Sequence, residues 1–191
     1  MITIGIDEVG RGCWAGPLVA GAVILPEDVR LPSNVKLRDS KKLSKAQRET
    51  TAAWVHEHAL AVGLGWVEPD EVDNVGLTEA VRLAMHRAVE AISVAYDEII
   101  VDGNINYFVE DSRAQALIKA DDSVPSVSAA SIVAKVARDN HMAKVAVEYP
   151  GYGFEKHVGY GTALHVEGLR KLGVSNIHRK SYKPIQAYLT T

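Results

Sequence analysis

The first third of the chain contains three segments with the hydrophobic patterns of β-strands. Apolar side chains alternate through residues 3–7, and a continuous apolar run occupies residues 17–25. Residues 60–67 have a similar composition, although two glycines interrupt them. Those glycines either weaken the strand or mark places where a neighbouring backbone comes close. The pattern predicts three strands, the first two joined by a glycine-containing turn.

Helical spacing occupies the segments between and after these strands. Ser44 and Gln47 form an S-x-x-Q capping box, which predicts a helix over residues 45–58. Residues 68–76 are acidic and end in glycine, which is typical of a short helix. Apolar residues then recur at helical spacing through residues 77–92, which predicts a longer amphipathic helix.

Acidic residues follow two further predicted strands. Residues 97–101, with the sequence DEIIV, predict a short buried strand that leads directly into Asp102. Residues 117–119 predict another strand, which ends before the adjacent pair Asp121 and Asp122. Short apolar segments of this kind are typical of buried strands in an α/β sheet.

The C-terminal part of the chain is predicted to be mostly helical. Residues 127–149 are rich in small residues with helical periodicity, and Pro150 stops that helix. Thr162 is placed to cap a last helix that ends at Gly173, and the tail beyond is expected to be only partly ordered. The predicted elements begin with strands, continue with alternating helices and strands, and end with helices. This order indicates a single mixed α/β domain over residues 1–191.

Composition narrows the class of protein. The chain has 191 residues, 47% of them hydrophobic, which is enough to bury the core of one ordinary domain. Its single cysteine, Cys13, excludes an internal disulfide framework and any zinc site built from several cysteines. No apolar run approaches the ~18 residues of a membrane span, and the N-terminus lacks the features of a signal peptide. We therefore expect a cytoplasmic protein without membrane contact.

Charge is distributed unevenly along the chain. The net charge is −3, yet residues 30–48 carry +6 and residues 155–191 carry +4, whereas residues 67–111 carry −9. Two basic segments on an acidic body suit a surface that binds a polyanion such as a nucleic acid. The two basic segments are equally compatible with ordinary solvated surfaces, so charge alone does not show whether the protein binds a nucleic acid.

Three predicted strands end in acids: Asp7 and Glu8, Asp102, and the Asp121–Asp122 pair. The carboxyl ends of strands in an open α/β sheet are where functional sites assemble. Any one of these acids is ordinary at a solvent-exposed strand end, but together they would repel one another without a cation. About four carboxylates can hold one or two hard divalent ions, and a pair of such ions ~3.5–4 Å apart can catalyse displacement at a phosphodiester.

The turn after the first strand, Gly10-Arg11-Gly12, does not match the common nucleotide-binding loops. A dinucleotide fingerprint needs three spaced glycines before a helix, and a P-loop ends in Gly-Lys-Ser/Thr. Here the turn leads into a second strand and follows two acids. Its glycines could instead let the backbone approach a sugar closely, with Arg11 on a neighbouring phosphate. The serines lack a G-x-S-x-G elbow, and the seven histidines lack an HExxH spacing.

Long motifs occur in order along nearly the whole chain. They are IGIDEVGRGCWAGPLVAGAVIL (4–25), DSKKLS (39–44), VDGN (101–104), KADDSVPSVSAASIVAKVARD (119–139), YPGYGF (149–154), HVGYGT (157–162) and GLRKLGVSNIHRKSY (168–182). In order and spacing, these motifs resemble those of the ribonuclease HII family. The resemblance implies an RNase H-like fold, which is a central mixed five-stranded sheet flanked by helices with a helical C-terminal extension.

The resemblance also implies an activity. It implies hydrolysis of RNA in RNA–DNA hybrids and incision on the 5′ side of single ribonucleotides embedded in duplex DNA, leaving 3′-hydroxyl and 5′-phosphate ends. The reaction would depend on Mg²⁺ or Mn²⁺, with two divalent ions in the active form. The expected partners are therefore RNA–DNA hybrids and ribonucleotide-containing duplex DNA, and a monomer is the default expectation.

The family's catalytic, metal-binding carboxylates correspond to Asp7, Glu8, Asp102 and one acid of the Asp121–Asp122 pair. The register of the motif favours Asp121, which stands in a Lys-x-Asp position ahead of the SAAS segment. The sequence leaves Asp122 open as the alternative.

The resemblance further implies a set of substrate-binding residues. The backbone of Gly10, Arg11 and Gly12 would recognise the 2′-hydroxyl, the group that distinguishes RNA from DNA. The ring of Tyr160 would stack on the sugar after the ribonucleotide and disfavour a second 2′-hydroxyl there. Candidate phosphate contacts are Lys41, Lys42, Arg179 and Lys180.

Two other functions remain as alternatives. One is a nuclease of the same superfamily that acts on DNA, and the other is a nucleic-acid-binding module without catalysis. All four expected carboxylates are present, which disfavours the second. Residues from about 150 to 191 would form the substrate-binding part of the domain. Trp14 departs from the usual pattern, and its expected role is only packing beside the site.

Overall fold

A computed structural model describes residues 1–189, which contain a five-stranded mixed sheet with the strand order β3-β2-β1-β4-β5. The strands are β1 (Thr3–Val9), β2 (Leu18–Ile24), β3 (Ala61–Val67), β4 (Glu98–Asp102) and β5 (Ala114–Leu117). β1, β2 and β3 form an antiparallel meander, whereas β4 and β5 continue the sheet parallel to β1. This is the mixed sheet that the sequence predicts.

Helices cover both faces of the sheet and continue into the C-terminal part. They are α1 (Lys45–His58), α2 (Pro69–Val75), α3 (Leu77–Glu90), α4 (Ala120–Ser123), α5 (Pro125–Glu148), α6 (Phe154–His157), α7 (Ala163–Leu172) and α8 (Lys183–Gln186). A 3₁₀ turn, Ser40–Lys42, precedes α1. Among the described residues, no helix is both long enough and apolar enough to cross a bilayer.

Local sequence signals account for the ends of several helices. The predicted capping box is present at α1, where the Ser44 side chain accepts from the backbone N–H of Gln47 and the Gln47 side chain accepts from that of Ser44. The hydroxyl of Thr162 caps α7, which ends at Gly173 as expected. These bonds satisfy backbone groups that a helix end would otherwise leave unpaired.

The sheet is packed between α3 on one face and α5 on the other. Ile4 and Ile6 of β1 belong to the core that includes α3, whereas α1 and α5 share a second core with Val23 of β2. A Cβ at Gly63 or Gly65 would overlap backbone atoms of α3. The glycines of β3 are therefore sites of close backbone approach, one of the two alternatives left open by the sequence.

Two details of the prediction are wrong. β5 lies at Ala114–Leu117 instead of 117–119, because Lys119 adopts a left-handed conformation with φ of 59° and begins α4. Asp121 consequently lies in the first turn of a helix and not at a strand end. The segment after Gly173 is also ordered through residue 189, and it buries His178, Arg179 and Ile185. Residues 190–191 of the predicted tail lie outside the described residues.

Candidate active site

Three carboxylates meet at one edge of the sheet. Because β1 and β4 are parallel neighbours, the ends that carry Asp7 and Asp102 lie side by side. The left-handed turn at Lys119 then brings Asp121 back over β4, and its backbone N–H donates to Oδ1 of Asp102 at 3.4 Å. Asp7, Asp102 and Asp121 each offer a carboxylate oxygen within 4.8 Å of the others.

The electrostatics of this cluster oppose three free negative charges. Asp7 is only 8% exposed, and burial, followed by the charges of Glu8 and Asp102, raises its pKa well above its usual value. Hydrogen bonds from Ser131 and from the Glu8 backbone N–H act in the opposite direction. Burial, followed by the charge of Asp102, also raises the pKa of Asp121. These closely spaced carboxyl groups do not ionise readily in the absence of a cation. Together they form a set of oxygen donors that fits a hard divalent cation.

The structure separates the two acids that the sequence left as alternatives. Asp121 belongs to the carboxylate cluster, whereas Asp122 is exposed and pairs with Nζ of Lys42 at 2.5 Å. The side chain of Asp122 also accepts from the backbone N–H of Asp39 at 3.4 Å. The hydrogen bond from Lys42 lowers the pKa of Asp122, so this acid stays ionised in a surface ion pair.

Glu8 lies in the same cavity but outside the group of three. Successive side chains of a strand point to opposite faces, so Glu8 leaves β1 on the side away from Asp7. Its Oε1 accepts from Nη1 of Arg11 at 3.2 Å. Burial raises the pKa of Glu8, and the charge of Arg11 opposes that change. The Glu8–Arg11 pair therefore connects the carboxylate cluster to the glycine–arginine turn, Gly10-Arg11-Gly12.

A single cavity of about 460 Å³ brings most of the predicted site residues together. Its lining includes Asp7, Glu8, Gly10, Arg11, Gly12, Lys41, Asp102, Asp121 and Tyr160. Ser40, Ser131 and Lys135 also line it, although the sequence analysis did not select them. A larger cavity of about 810 Å³ lies beside α3 and contains none of these residues.

The glycine–arginine turn is held from behind by the C-terminal segment. The carbonyl of Arg11 accepts from Nη1 of Arg179 at 3.0 Å and from the hydroxyl of Tyr182 at 2.7 Å. Arg179 also donates to the carbonyl of Gly16 through Nε and Nη2. Its side chain is fully buried, so the predicted phosphate contact at Arg179 is wrong, because the guanidinium has no access to a ligand. Arg179 supports the backbone of the turn instead.

Tyr160 faces the cavity from the C-terminal part of the chain. It is 39% exposed, and the nearest atom to a Cβ added at Gly12 is Cε1 of its ring, 4.0 Å away. Nζ of Lys135 lies 5.9 Å from the ring centroid. Trp14 packs nearby, where a Cβ at Gly161 would overlap its indole ring. Packing beside the site is thus the role that the structure gives Trp14.

The predicted basic residues do not form one surface. Lys41 lines the cavity with the carboxylates, and Lys42 lies at its edge in the ion pair with Asp122. Lys180 lies in a separate depression beside α2, where its backbone N–H donates to Asp73 at 2.7 Å. The structure therefore does not bring Lys180 to the carboxylate cluster.

Comparison with known proteins identifies the family. The family model described as Ribonuclease HII matches residues 4–185, which is nearly the whole chain. The chain belongs to the ribonuclease HII family. A ribonuclease HII from Dichelobacter nodosus is 46% identical over 187 residues, covering 97% of this chain and 96% of the relative.

Solved structures of this family have the same fold. Ribonuclease H2 from Pyrococcus horikoshii superposes with a TM-score of 0.84 at 25% identity, covering 98% of this chain and 97% of that one. The RNase HII of Archaeoglobus fulgidus, solved in complex with PCNA, gives a TM-score of 0.80 at 27% identity, covering 96% of both chains. The predicted RNase H-like fold is confirmed.

Membership of the family makes the chain a metal-dependent endoribonuclease that acts on RNA in RNA–DNA hybrids. Its acidic cluster fits that chemistry, since Asp7, Asp102 and Asp121 converge on one point. Asp7 and Asp102 reach it at the ends of strands that the apolar pattern predicted, and Asp121 reaches it through a turn that the pattern did not predict.

Polar residues of α5 that surround the carboxylate cluster were not predicted from the sequence. Ser128, Ser131 and Lys135 follow one another at spacings of three and four along α5, which places them on one face of the helix. Ser131 bonds to Asp7 and contacts the Ser40 hydroxyl at 3.0 Å, while Ser128 donates to the Asp121 carbonyl at 2.6 Å. Polar residues at helical spacing in an otherwise apolar helix were the available signal.

A second buried arginine, Arg138, was not predicted from the sequence. Arg138 of α5 is fully buried and donates to the carbonyls of Pro17, Val158 and Ala15 at 2.8, 2.8 and 3.1 Å. These carbonyls belong to the segment after the glycine–arginine turn and to the segment before Tyr160. Arg138 therefore holds together the two loops that form one wall of the cavity.

Proposed function

We propose that this protein incises duplex DNA on the 5′ side of single embedded ribonucleotides by two-metal-ion hydrolysis, leaving 3′-hydroxyl and 5′-phosphate ends. One observation carries the proposal. The cluster of Asp7, Asp102 and Asp121 lies in the same cavity as the glycine–arginine turn and Tyr160. A metal site for phosphodiester chemistry thus adjoins a backbone turn and an aromatic ring suited to inspecting one nucleotide.

Asp7, Asp102 and Asp121 would hold the ions, with Glu8 completing the set of four carboxylates. Their oxygen donors suit Mg²⁺ or Mn²⁺ better than softer metals. When bound, two such ions supply activation of the attacking water and stabilisation of the leaving 3′ oxygen. The carboxylates fix the position of that chemistry, because Ser131 and the Glu8 backbone N–H orient Asp7.

The other residues of the cavity bind and orient the substrate. The backbone of Gly10, Arg11 and Gly12 would contact the 2′-hydroxyl, and the buried support from Arg179 keeps that backbone in one conformation. Tyr160 would stack on the following sugar, where its ring leaves no room for a second 2′-hydroxyl. Such a contact favours a ribonucleotide that is followed by DNA.

Cations around the cavity suit the phosphates that flank the cleaved bond. Lys41 and Lys135 line the cavity, and Arg11 is half-exposed at its entrance. Lys42 is already in an exposed ion pair with Asp122, an interaction that solvent weakens, so its ammonium is a further candidate for a phosphate contact. The exposed Lys180 would contact nucleic acid only at a distance from the cleaved bond.

The organisation that we propose is one catalytic domain over residues 1–191, acting as a monomer in the cytoplasm. Residues from about 150 onward form its substrate-binding part, since they contribute Tyr160 and the segment behind the glycine–arginine turn.

The test is a duplex with one embedded ribonucleotide, incubated with the protein and Mg²⁺, beside an all-DNA duplex of the same sequence. We expect a single cut 5′ of the ribonucleotide and no cut in the all-DNA duplex. Binding without incision would favour the non-catalytic module. Equal cutting of the all-DNA duplex would favour the nuclease that acts on DNA, and either result would refute the proposal.

A further inference from the structure

Three histidines of the C-terminal part form a buried cluster directly behind Tyr160. His157, His165 and His178 are 7%, 0% and 1% exposed. The rings of His157 and His165 stack with centroids 4.7 Å apart and planes 12° from parallel. His165 and His178 face each other through their Nε2 atoms, which are 3.0 Å apart. None of the three lines the cavity that holds the carboxylates.

The hydrogen bonds of this cluster run in one direction. The backbone N–H of Ser175 donates to Nδ1 of His178 at 3.0 Å, so the neutral His178 ring carries its proton on Nε2. That Nε2–H donates to Nε2 of His165, which places the proton of His165 on Nδ1. Nδ1–H of His165 then donates to the carbonyl of Tyr160 at 3.0 Å. A fixed donor at one end and a fixed acceptor at the other determine both tautomers.

The His157 ring holds the segment that leads into Tyr160. Its Nε2 donates to the carbonyl of Tyr152 at 2.8 Å, which leaves Nδ1 to accept the backbone N–H of Gly159 at 3.2 Å. The Tyr160 carbonyl also accepts from the backbone N–H of Thr162 at 2.9 Å. Stacked histidine rings thus bind the backbone on both sides of the Tyr160 Cα, while the Tyr160 side chain faces the cavity.

We propose that His165, with its tautomer set by His178, is a positioning residue that fixes the Tyr160 ring for discrimination between embedded ribonucleotides and long hybrids. The proposal rests on the stacking role of Tyr160 in the proposed function. The bond from Nδ1–H of His165 is the side-chain contact of the histidine cluster that reaches Tyr160 itself, beside a backbone bond from the Tyr160 N–H to the His157 carbonyl at 2.9 Å. Loss of the His165 bond leaves the Tyr160 carbonyl with only the bond from the Thr162 N–H and so loosens the backbone at Tyr160, while none of the three histidines lines the cavity that holds the carboxylates.

Amide side chains allow each bond of the chain to be removed separately. The amide nitrogen of Asn stands where His carries Nδ1, and the end of a Gln side chain stands where His carries Nε2. His165→Asn therefore keeps the donor to the Tyr160 carbonyl and loses the contact to His178. His165→Gln keeps an acceptor for His178 and loses the donor to Tyr160. At position 178 the relation is reversed, because only Gln can still donate to His165.

The measurement is kcat and KM on a duplex with one embedded ribonucleotide and on a long RNA–DNA hybrid, for wild type, Tyr160→Ala and the four amide variants. We expect His165→Gln and His178→Asn to lower the ratio of embedded to long-hybrid kcat/KM by about fivefold, the effect of one lost hydrogen bond. His165→Asn and His178→Gln should keep that ratio near the wild-type value. Thermal unfolding of each variant sets an assay temperature at which all are folded.

The crossed pattern distinguishes positioning from stability, since every variant loses the contacts of one ring nitrogen and keeps those of the other. The inference is overturned if the ratios of the amide variants follow their loss of melting temperature, or if Asn and Gln at one position change the ratio equally. The proposed function survives that result as long as Tyr160→Ala still lowers the ratio. A wild type that does not cut at a single ribonucleotide, or a Tyr160→Ala variant with an unchanged ratio, refutes the proposed function and the inference with it. If the position-165 variants do not fold, the pair at position 178 gives the same comparison.

Discussion

Neighbouring residues of the same chemical type have different environments in this molecule. Asp121 and Asp122 are adjacent acids, yet burial and Asp102 raise the pKa of the first, while Lys42 lowers the pKa of the second. The short helix α4 causes the difference, because it turns one carboxylate toward β4 and the other toward the loop before α1. The two residues are both aspartates, so their different environments result from the direction in which each side chain leaves the helix.

The two acids make a matched pair for mutagenesis. Asp121→Asn should lower the rate of hybrid cleavage by at least about 100-fold, the order of loss found when one group that stabilises the transition state is removed. Asp122→Asn removes only a surface ion pair and should stay within about fivefold of wild type. Initial rates with Mg²⁺, together with hybrid affinity measured without turnover, test the pair. A larger loss of rate in Asp122→Asn than in Asp121→Asn would show that Asp122, and not Asp121, belongs to the metal site.

At the scale of elements, close backbone approach determines how the sheet and its helices pack. β3 lies so near α3 that side chains at Gly63 and Gly65 would overlap the carbonyls of Ala88 and Ala84. Backbone atoms of a helix cannot move aside as a flexible side chain can. Glycine in β3 is thus a packing requirement, whereas a Cβ at Gly12 in the glycine–arginine turn would lie 4.0 Å from Cε1 of Tyr160, an ordinary van der Waals distance.

Substitution by alanine should therefore affect stability at Gly65 and activity at Gly12. Gly65→Ala should lower the free energy of unfolding by about 2–3 kcal/mol, as expected for overpacking. Gly12→Ala should change it by no more than about 1 kcal/mol, and instead reduce incision at an embedded ribonucleotide. Denaturant unfolding and the incision assay measure the two effects. Equal loss of stability in both variants would contradict this account.

Patterns with a local cause were predictable from the sequence, and contacts between distant segments were not. The capping box at Ser44 and the glycines of β3 are local signals, and the structure has both. The displaced strand β5 and the buried Arg179 depend on distant contacts. Ile118 is apolar yet 68% exposed, so hydrophobicity misplaced the strand. Arginine is rarely buried without a carboxylate, so nothing near Arg179 in sequence indicates that carbonyls surround it.

For the candidate site, too, the acids were predictable from the sequence, whereas a residue held by distant contacts was not. Motif register supplied Asp7, Glu8, Asp102 and Asp121 and placed them near one another, and the cavity contains all four. Motif register could not supply Arg138, because its carbonyl partners follow the glycine–arginine turn and precede Tyr160, far from it in sequence.

At the scale of the whole molecule, the buried histidines connect stability to pH. Burial lowers the pKa of His165 and of His178 to about 4, from the value of ~6.5 expected in the unfolded chain. Between these values the unfolded chain binds more protons than the folded one, so stability falls as pH drops from about 6.5 toward 4. The raised pKa of Asp7 has the opposite effect, and only a comparison of variants isolates the histidines.

His178→Gln removes one of these titrating rings and should make the decline shallower. We expect the loss between pH 7.5 and pH 5 to be smaller than in wild type by about 2 kcal/mol, the contribution of one such ring. His56→Gln, at an exposed position of α1, should keep the wild-type slope. Denaturant unfolding at the two pH values provides the comparison. Parallel curves for wild type and His178→Gln would show that His178 does not couple protonation to folding.

The bonds from Arg179 and Tyr182 to Arg11 join the two ends of the chain, and they have a consequence for synthesis. On the ribosome, the carboxylates of β1 and β4 can meet while much of the protein is still untranslated. The glycine–arginine turn receives its support only after residue 182 has left the exit tunnel. A nascent chain therefore acquires the groups for cleavage before it acquires the braced turn that chooses where to cut.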